Sequence, residues 1–134
     1  MGDVVLVVNR FVLGAGQLDE RDVTGPDADA ERDFLSRAEP ALAALAGCTG
    51  FVHGELGRAV DDPTRWCLVT RWASIGAYRR ALGSYQVKIA ATALLAEAVE
   101  EPAGYEVLRG ADADGIRVEH SDRAPGEANR PPRR

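Results

Sequence analysis

The chain is poor in the residues that build metal and redox sites. Its 134 residues include two cysteines, Cys48 and Cys67, and two histidines, His53 and His120. So few ligands predict no metal site. If residues 48–60 and 64–72 pair as a hairpin turning near Asp61-Asp62-Pro63, Cys67 falls opposite Gly57 and Cys48 lies far along the ladder. A disulfide needs Cα atoms within about 7 Å, so both cysteines read as buried free thiols of a reducing cytosol. A basic excess is also missing. The net charge is -5, with a pI of about 5.0, which removes the electrostatic footprint of a nucleic-acid binder. No apolar run approaches the ~20 residues of a membrane span. The apolar start Val4–Val8 follows Asp3 and is interrupted by Asn9-Arg10, so it reads as a strand of a cytoplasmic protein and not as a signal peptide. Phosphate-cradling loops are absent too. After Leu13-Gly14-Ala15-Gly16 the third glycine position of a dinucleotide fingerprint holds Asp19. There is no Walker motif and no Gly-x-Ser-x-Gly elbow. The expectation is a protein without metal or flavin cofactor, and without a hydrolytic nucleophile.

What is present is enough for a core. The chain is 46% hydrophobic and 28% charged, and its length fits one domain. Val4–Leu13 is a strand that is apolar on both faces: Val5, Val7, Asn9, Phe11 and Leu13 on one, Val4, Leu6, Val8, Arg10 and Val12 on the other. Such a strand is covered on both sides. Gly14–Pro26 is a polar loop. The spacing of Phe34, Ala38, Ala41, Leu42 and Leu45 predicts a helix over Ala28–Ala46, kinked or restarted at Pro40 and closed by Gly47. Strands follow at Thr49–Val60 and Arg65–Trp72. Helical segments follow at Ile75–Leu82 and Tyr85–Val99, separated by Gly83-Ser84, and a last strand at Ala103–Arg109. The order β-α-β-β-α-β predicts an α+β ferredoxin-like domain over residues 1–109, with helices on one face of a four-stranded antiparallel sheet. The other face then needs cover, which predicts a homodimer. Residues 110–134 are rich in proline and charge and read as a disordered tail, except that Gly115–His120 has the pattern of a short strand for an edge or a partner.

Chemistry-bearing residues gather around Trp66–Tyr78, WCLVTRWASIGAY. Trp66, Leu68, Thr70 and Trp72 share one strand face, and Ser74 is placed to cap the next helix. Both tryptophans of the chain lie on that face. They either fill the core or wall a pocket for a flat apolar ligand. Asn9 sits mid-strand among apolar neighbours. It is either a hydrogen-bonded core amide, with Thr70 a candidate partner, or an amide aimed into a pocket. Tyr78 and Tyr85 lie on the helices expected over this face, and Phe51 lies in the preceding strand. His53 reads as an ordinary sheet histidine, and Arg79-Arg80 as a solvated helix face on which one guanidinium could hold an acidic substrate.

Val8-Asn9-Arg10, Thr49-Gly50-Phe51 and the run from Trp66 to Trp72, followed by Ala73-Ser74-x-x-Ala77-Tyr78, resemble the antibiotic biosynthesis monooxygenase family over residues 3–109. The resemblance implies a dimeric ferredoxin-like α+β barrel, with sheets packed back to back and a pocket between each sheet and its helices. It also implies a cofactor-independent oxygenase acting on an aromatic, polyketide-type or quinol substrate. Asn9 and Trp72 match the polar and indole positions of such pockets. Trp66, Thr70, Phe51, Tyr78 and Tyr85 would contact the substrate. A non-catalytic small-molecule-binding or stress-response dimer is the second implied role. Haem-degrading members carry an iron-ligating histidine on the helix after the tryptophan. The matching stretch here, Arg80-Ala81-Leu82-Gly83, has none.

Overall fold

The computed structural model describes residues 4–14 and 28–119. Strand β1 (Val5–Val12) leads to helix α1 (Ala28–Ala46), then to strands β2 (Phe51–Arg58) and β3 (Arg65–Trp72). Helices α2 (Ile75–Leu82), α3 (Tyr85–Ala90) and α4 (Thr92–Leu95) precede strand β4 (Gly104–Glu106). A hairpin, β5 (Arg109–Asp112) and β6 (Gly115–Val118), closes the described chain. The main sheet has the order β2-β3-β1-β4 and is antiparallel throughout. This is the ferredoxin-like arrangement expected from the pattern of periods.

Alternation decides which face each strand buries. On β1, Val5, Val7 and Phe11 are buried, and on β3, Trp66, Leu68, Thr70 and Trp72. Against them α1 sets Phe34, Ala38, Ala41 and Leu45, the positions given by its 3.6-residue spacing. Ala77 and Ala81 of α2, Val87 of α3 and Leu94 of α4 complete the core. Full burial of a side chain such as Leu45 or Val87 contributes about 1.5–3 kcal/mol. Ser74 caps α2 through its hydroxyl, which accepts the Ala77 N–H at 3.0 Å, and Ser84 does the same for α3 from Val87. The β2–β3 turn is held by Asp62, which accepts the Thr64 N–H at 3.1 Å and the Thr64 hydroxyl at 2.6 Å. Cys67 pairs with Gly57, and both cysteines are free thiols.

Several elements differ from their expected form. Helix α1 runs through Pro40 with no restart. Pro40 is exposed, so the carbonyl that loses its donor faces water. Strand β2 is shorter than Thr49–Val60 and bulges at Val52, where pairing steps from Phe51–Trp72 to His53–Arg71. The segment expected as one helix over Tyr85–Val99 breaks at Ala91 (φ -124°), and its chain leaves the helix when the Val99 N–H bonds to the Arg10 carbonyl at 2.7 Å. The last strand does not run on to Arg109. After Glu106 the chain turns into the β5–β6 hairpin. The strand expected at Gly115–His120 forms as β6, but against β5 and not on an edge of the main sheet. A tight turn explains this: Asp112 accepts the Asp114 N–H at 2.8 Å, and Gly115 takes φ 129°. The Gly14–Pro26 loop beyond Gly14, and the tail from His120 onward, lie outside the described residues. Among the described residues no helix is long and apolar enough to cross a membrane.

Candidate functional site

The strand-into-helix junction at Trp72 assembles an aromatic cluster. Trp72 ends β3 opposite Val5 on one side and Phe51 on the other. Its indole is completely buried, and its Nε1–H donates to the Thr70 hydroxyl oxygen at 2.9 Å. Phe51 meets it edge-on, with ring centroids 5.3 Å apart at 89°. Tyr78, one turn into α2, lies 5.4 Å away at 58°. Such tilted pairs contribute about 0.5–1.5 kcal/mol each beyond area burial. Tyr78 is half-buried, and burial pushes its phenol pKa up, so it remains a neutral donor across the physiological range. Its hydroxyl bonds to none of the described residues.

Gly50 makes this packing possible. It precedes β2 with φ 93°, and its carbonyl accepts the Ala73 N–H at 2.7 Å. A side chain on Gly50 would collide with Ala77 of α2. The close approach of the β2 start to α2 therefore requires glycine.

Trp66 belongs to a second cluster at the far end of the same ladder. It pairs with Phe11, stacks edge-on with Phe34 at 5.3 Å, and carries the Arg58 guanidinium 5.6 Å above its ring. Its Nε1–H donates to the Pro63 carbonyl at 3.2 Å. Asn9 sits between the clusters, opposite Leu68. At about 3.3 Å per residue it is about 13 Å along the ladder from Trp72 and about 7 Å from Trp66. Asn9 is half-buried, and its side chain bonds to none of the described residues; Thr70, the partner expected for it, instead accepts a hydrogen bond from Trp72. Asn9, Trp66, Thr70 and Trp72 therefore share the helix-covered face, and Phe51 and Tyr78 join Trp72. Tyr85 does not join them: it opens α3 and is 76% exposed. His53 is exposed at the bulge, with Nε2 3.3 Å from Glu55.

Two hollows flank these clusters. A groove of about 690 Å³ runs between α2 and β4, with Ile75 and Arg79 on one wall, Gly104, Glu106 and Leu108 on the other, and Val5 as its floor. A smaller hollow of about 330 Å³ opens beside Trp66, next to Arg58, Cys67 and Val99. Neither is lined by Asn9 or Trp72. The sequence reading missed Ile75 and Gly104 as groove residues. The signal was there only in the register: Gly104 pairs with Val7, and its missing side chain leaves room beside Ile75. Among the described residues no group of histidine, cysteine or carboxylate side chains could hold a metal ion.

A four-stranded antiparallel sheet with one helical layer, and a tryptophan at the junction of its central strand with the next helix, define a ferredoxin-like α+β protein. The family profile described as antibiotic biosynthesis monooxygenase matches residues 23–93, and the chain belongs to that family. Its structure is similar to that of SnoaB from Streptomyces nogalater, a cofactor-independent oxygenase. The two share 28% identity at a TM-score of 0.60, over 79% of this chain and 94% of that one. A putative antibiotic biosynthesis monooxygenase from Nitrosomonas europaea is 13% identical, with a TM-score of 0.58 over 81% of this chain and 93% of its own. Rv0793 from Mycobacterium tuberculosis is 19% identical, with a TM-score of 0.55 over 82% and 98%. The last two likenesses concern the fold alone. No curated protein matches the chain.

Proposed function

We propose that this monooxygenase-family protein oxidises an aromatic, polyketide-type or quinol substrate with dioxygen, without metal or flavin, as a cytoplasmic homodimer. The observation that carries this reading is the likeness to SnoaB across nearly all of that oxygenase. The aromatic wall of Phe51, Trp72 and Tyr78 supports it. An electron-rich phenolate supplies the electrons itself. When a ring CH2 becomes C=O, one oxygen atom of dioxygen enters the substrate. The other leaves as water, and the substrate is the only reductant. The protein's part is a dry surface, orientation and hydrogen bonds to the developing oxyanion. In this scheme Trp66 bounds the flat substrate directly, and the buried Trp72 backs the site through Phe51 and Tyr78. Asn9 and Thr70 orient its oxygens, Phe51 packs on it, Tyr78 donates a proton, and Tyr85 contacts the substrate from the rim.

The test is turnover of a polycyclic phenol by purified protein and by Asn9→Ala and Tyr78→Phe. Loss of turnover in both variants, with folding unchanged, supports the assignment. Turnover unaffected by both removes these residues from the site.

A second reading, a non-catalytic small-molecule-binding or stress-response dimer, is favoured by one feature. Trp72 is packed shut by Phe51, Tyr78 and Thr70, four ladder positions from Asn9. Under that reading an aromatic ligand binds without consuming dioxygen. Haem degradation ranks third, because the helix after Trp72 lacks a histidine.

A further inference from the structure

Charge is divided unevenly along this chain. Between Asp62 and Glu97 stand five cations, Arg65, Arg71, Arg79, Arg80 and Lys88, and no carboxylate, while the whole chain carries -5. Arg65 bonds back to Asp62 at 3.2 Å, and Arg71 lies on the sheet face away from the helices. Arg79 and Arg80 of α2 and Lys88 of α3 are exposed, with no ion pair among the described residues. On α1 the pattern is the reverse. Arg32 holds Asp29 at 2.6 Å, and Arg37 holds Asp33 at 3.1 Å and Glu97 at 2.8 Å. The helical layer therefore joins an internally matched helix to an unmatched basic one.

Helix α3 sets one of those cations inside an apolar stripe. Val87 points into the core, so Tyr85, Lys88 and Ile89, at spacing i, i+3 and i+4, share the outward face. Tyr85 and Ile89 are 76% and 65% exposed. Ile89 also walls a trough of about 430 Å³ between α3 and α1. The facing wall is Ala43, Ala44 and Gly47, which carry no side chain beyond Cβ to fill it. The two helices meet at one end, where the Cys48 Sγ lies 3.8 Å from the Ser84 hydroxyl oxygen.

A trough between two helices, ridged by an i, i+4 pair, takes a third helix. An extended peptide finds little backbone to pair with there, because helix N–H and C=O groups bond within the helix. Lys88 sets the sign of the partner. A nucleic acid or an anionic membrane is an extended polyanion, which the acidic remainder of the chain repels. One helix covers only the basic patch. The trough lies on the helical layer, across the sheet from Leu6 and Val8, so a dimer formed through that sheet face leaves it open.

We propose that the α1–α3 trough docks an acidic amphipathic helix of a partner protein, with its apolar ridge between Ile89 and Ala43, Ala44 and Gly47 and a carboxylate on Lys88. The proposal goes beyond the oxygenase reading and does not depend on it.

The test uses the full chain and three labelled helical peptides of about 16 residues, long enough to hold a helix. One has leucines at i, i+3, i+4 and i+7 with glutamates on its flanks. The second has lysines in place of the glutamates. The third has the acidic composition scrambled so that no stripe remains. Fluorescence anisotropy should show micromolar binding of the first alone, weakened by added salt. Ile89→Ala should weaken it about tenfold, the effect of losing an apolar anchor. Lys88→Glu should weaken it several-fold, Lys88→Arg should preserve it, and Arg117→Ala, on the distant hairpin, should leave it unchanged. All these side chains are exposed, and circular dichroism checks that each variant is folded. Equal binding of the basic or scrambled peptide would overturn the proposal, as would binding indifferent to both Ile89→Ala and Lys88→Glu. Failure of the acidic peptide to bind at millimolar concentration would overturn it too. Tighter binding of duplex DNA or phosphatidylserine vesicles, lost in Lys88→Glu, would assign the patch to a polyanion instead of a helix.

Discussion

Tyr78 and Asn9 are the residues whose environment says most about chemistry. Burial raises the Tyr78 pKa, so the folded protein holds its proton longer than the unfolded chain does. The sign follows: this contribution to stability is intact below the ordinary tyrosine pKa and is lost as pH climbs through the raised folded value. Ultraviolet titration should show a late phenol phase above the usual tyrosine range, removed by Tyr78→Phe. Absence of that phase in the wild type would place the phenol in water. Asn9→Ala is expected to cost under about 1 kcal/mol, because the amide leaves no buried partner unsatisfied among the described residues, and to abolish turnover or ligand binding. Thermal melts alongside ligand titration separate the two effects; ready unfolding would make Asn9 a structural residue. Trp72→Ala, by contrast, should cost about 3–5 kcal/mol whatever its role, so it is a poor probe of function by itself.

The regular elements were legible where period and punctuation agreed. Ala28–Ala46, Arg65–Trp72 and Ile75–Leu82 stand where apolar spacing, Ser74 and the Gly83-Ser84 break put them. So does the pairing of Cys67 with Gly57. The shared face of Asn9 and Trp72 was legible from alternation. Their separation along the ladder was not, because it depends on a β1–β3 register that no local pattern specifies. The break at Ala91 was hidden by an unbroken apolar stripe: Val87, Ala91 and Leu94 are buried in either form. The β5–β6 turn was masked by the charge of its neighbours. Gly50 is the sharpest probe of how the elements pack. Gly50→Ala places a side chain at positive φ and against Ala77, so β2 and α2 must part. Strain of that kind costs about 1–3 kcal/mol, and the melting temperature should fall by several degrees. A melt equal to wild type would mean that the β2–α2 approach is slack.

In the molecule as a whole, one sheet face is sealed by helices, and among the described residues no helix covers the other. Homodimerisation is the reading that covers it. Leu6→Asp or Val8→Asp should give monomers, or unfolded protein, by light scattering at micromolar concentration, and a compact wild-type monomer would contradict the dimer. We further propose that residues 1–109 are the folding unit, with 110–134 dispensable for it. A chain ending at Gly110 should keep its helical circular dichroism and melt within a few degrees of the full chain. A collapse of the melt would make the C-terminal residues part of the core.

The family assignment supports monooxygenase chemistry at the level of the family, and the proposed function runs it on the substrate's own electrons. The direct test is dioxygen consumption by chelator-treated, flavin-free protein, offered a panel of polycyclic phenols and hydroquinones. Expected is uptake of one dioxygen per substrate oxygenated, above the spontaneous rate, unchanged by chelator and reduced about a hundredfold or more in Tyr78→Phe, the scale of a lost proton donor. Tight binding of these phenols with no uptake above the spontaneous rate would contradict it and leave a binding protein in the fold of an oxygenase.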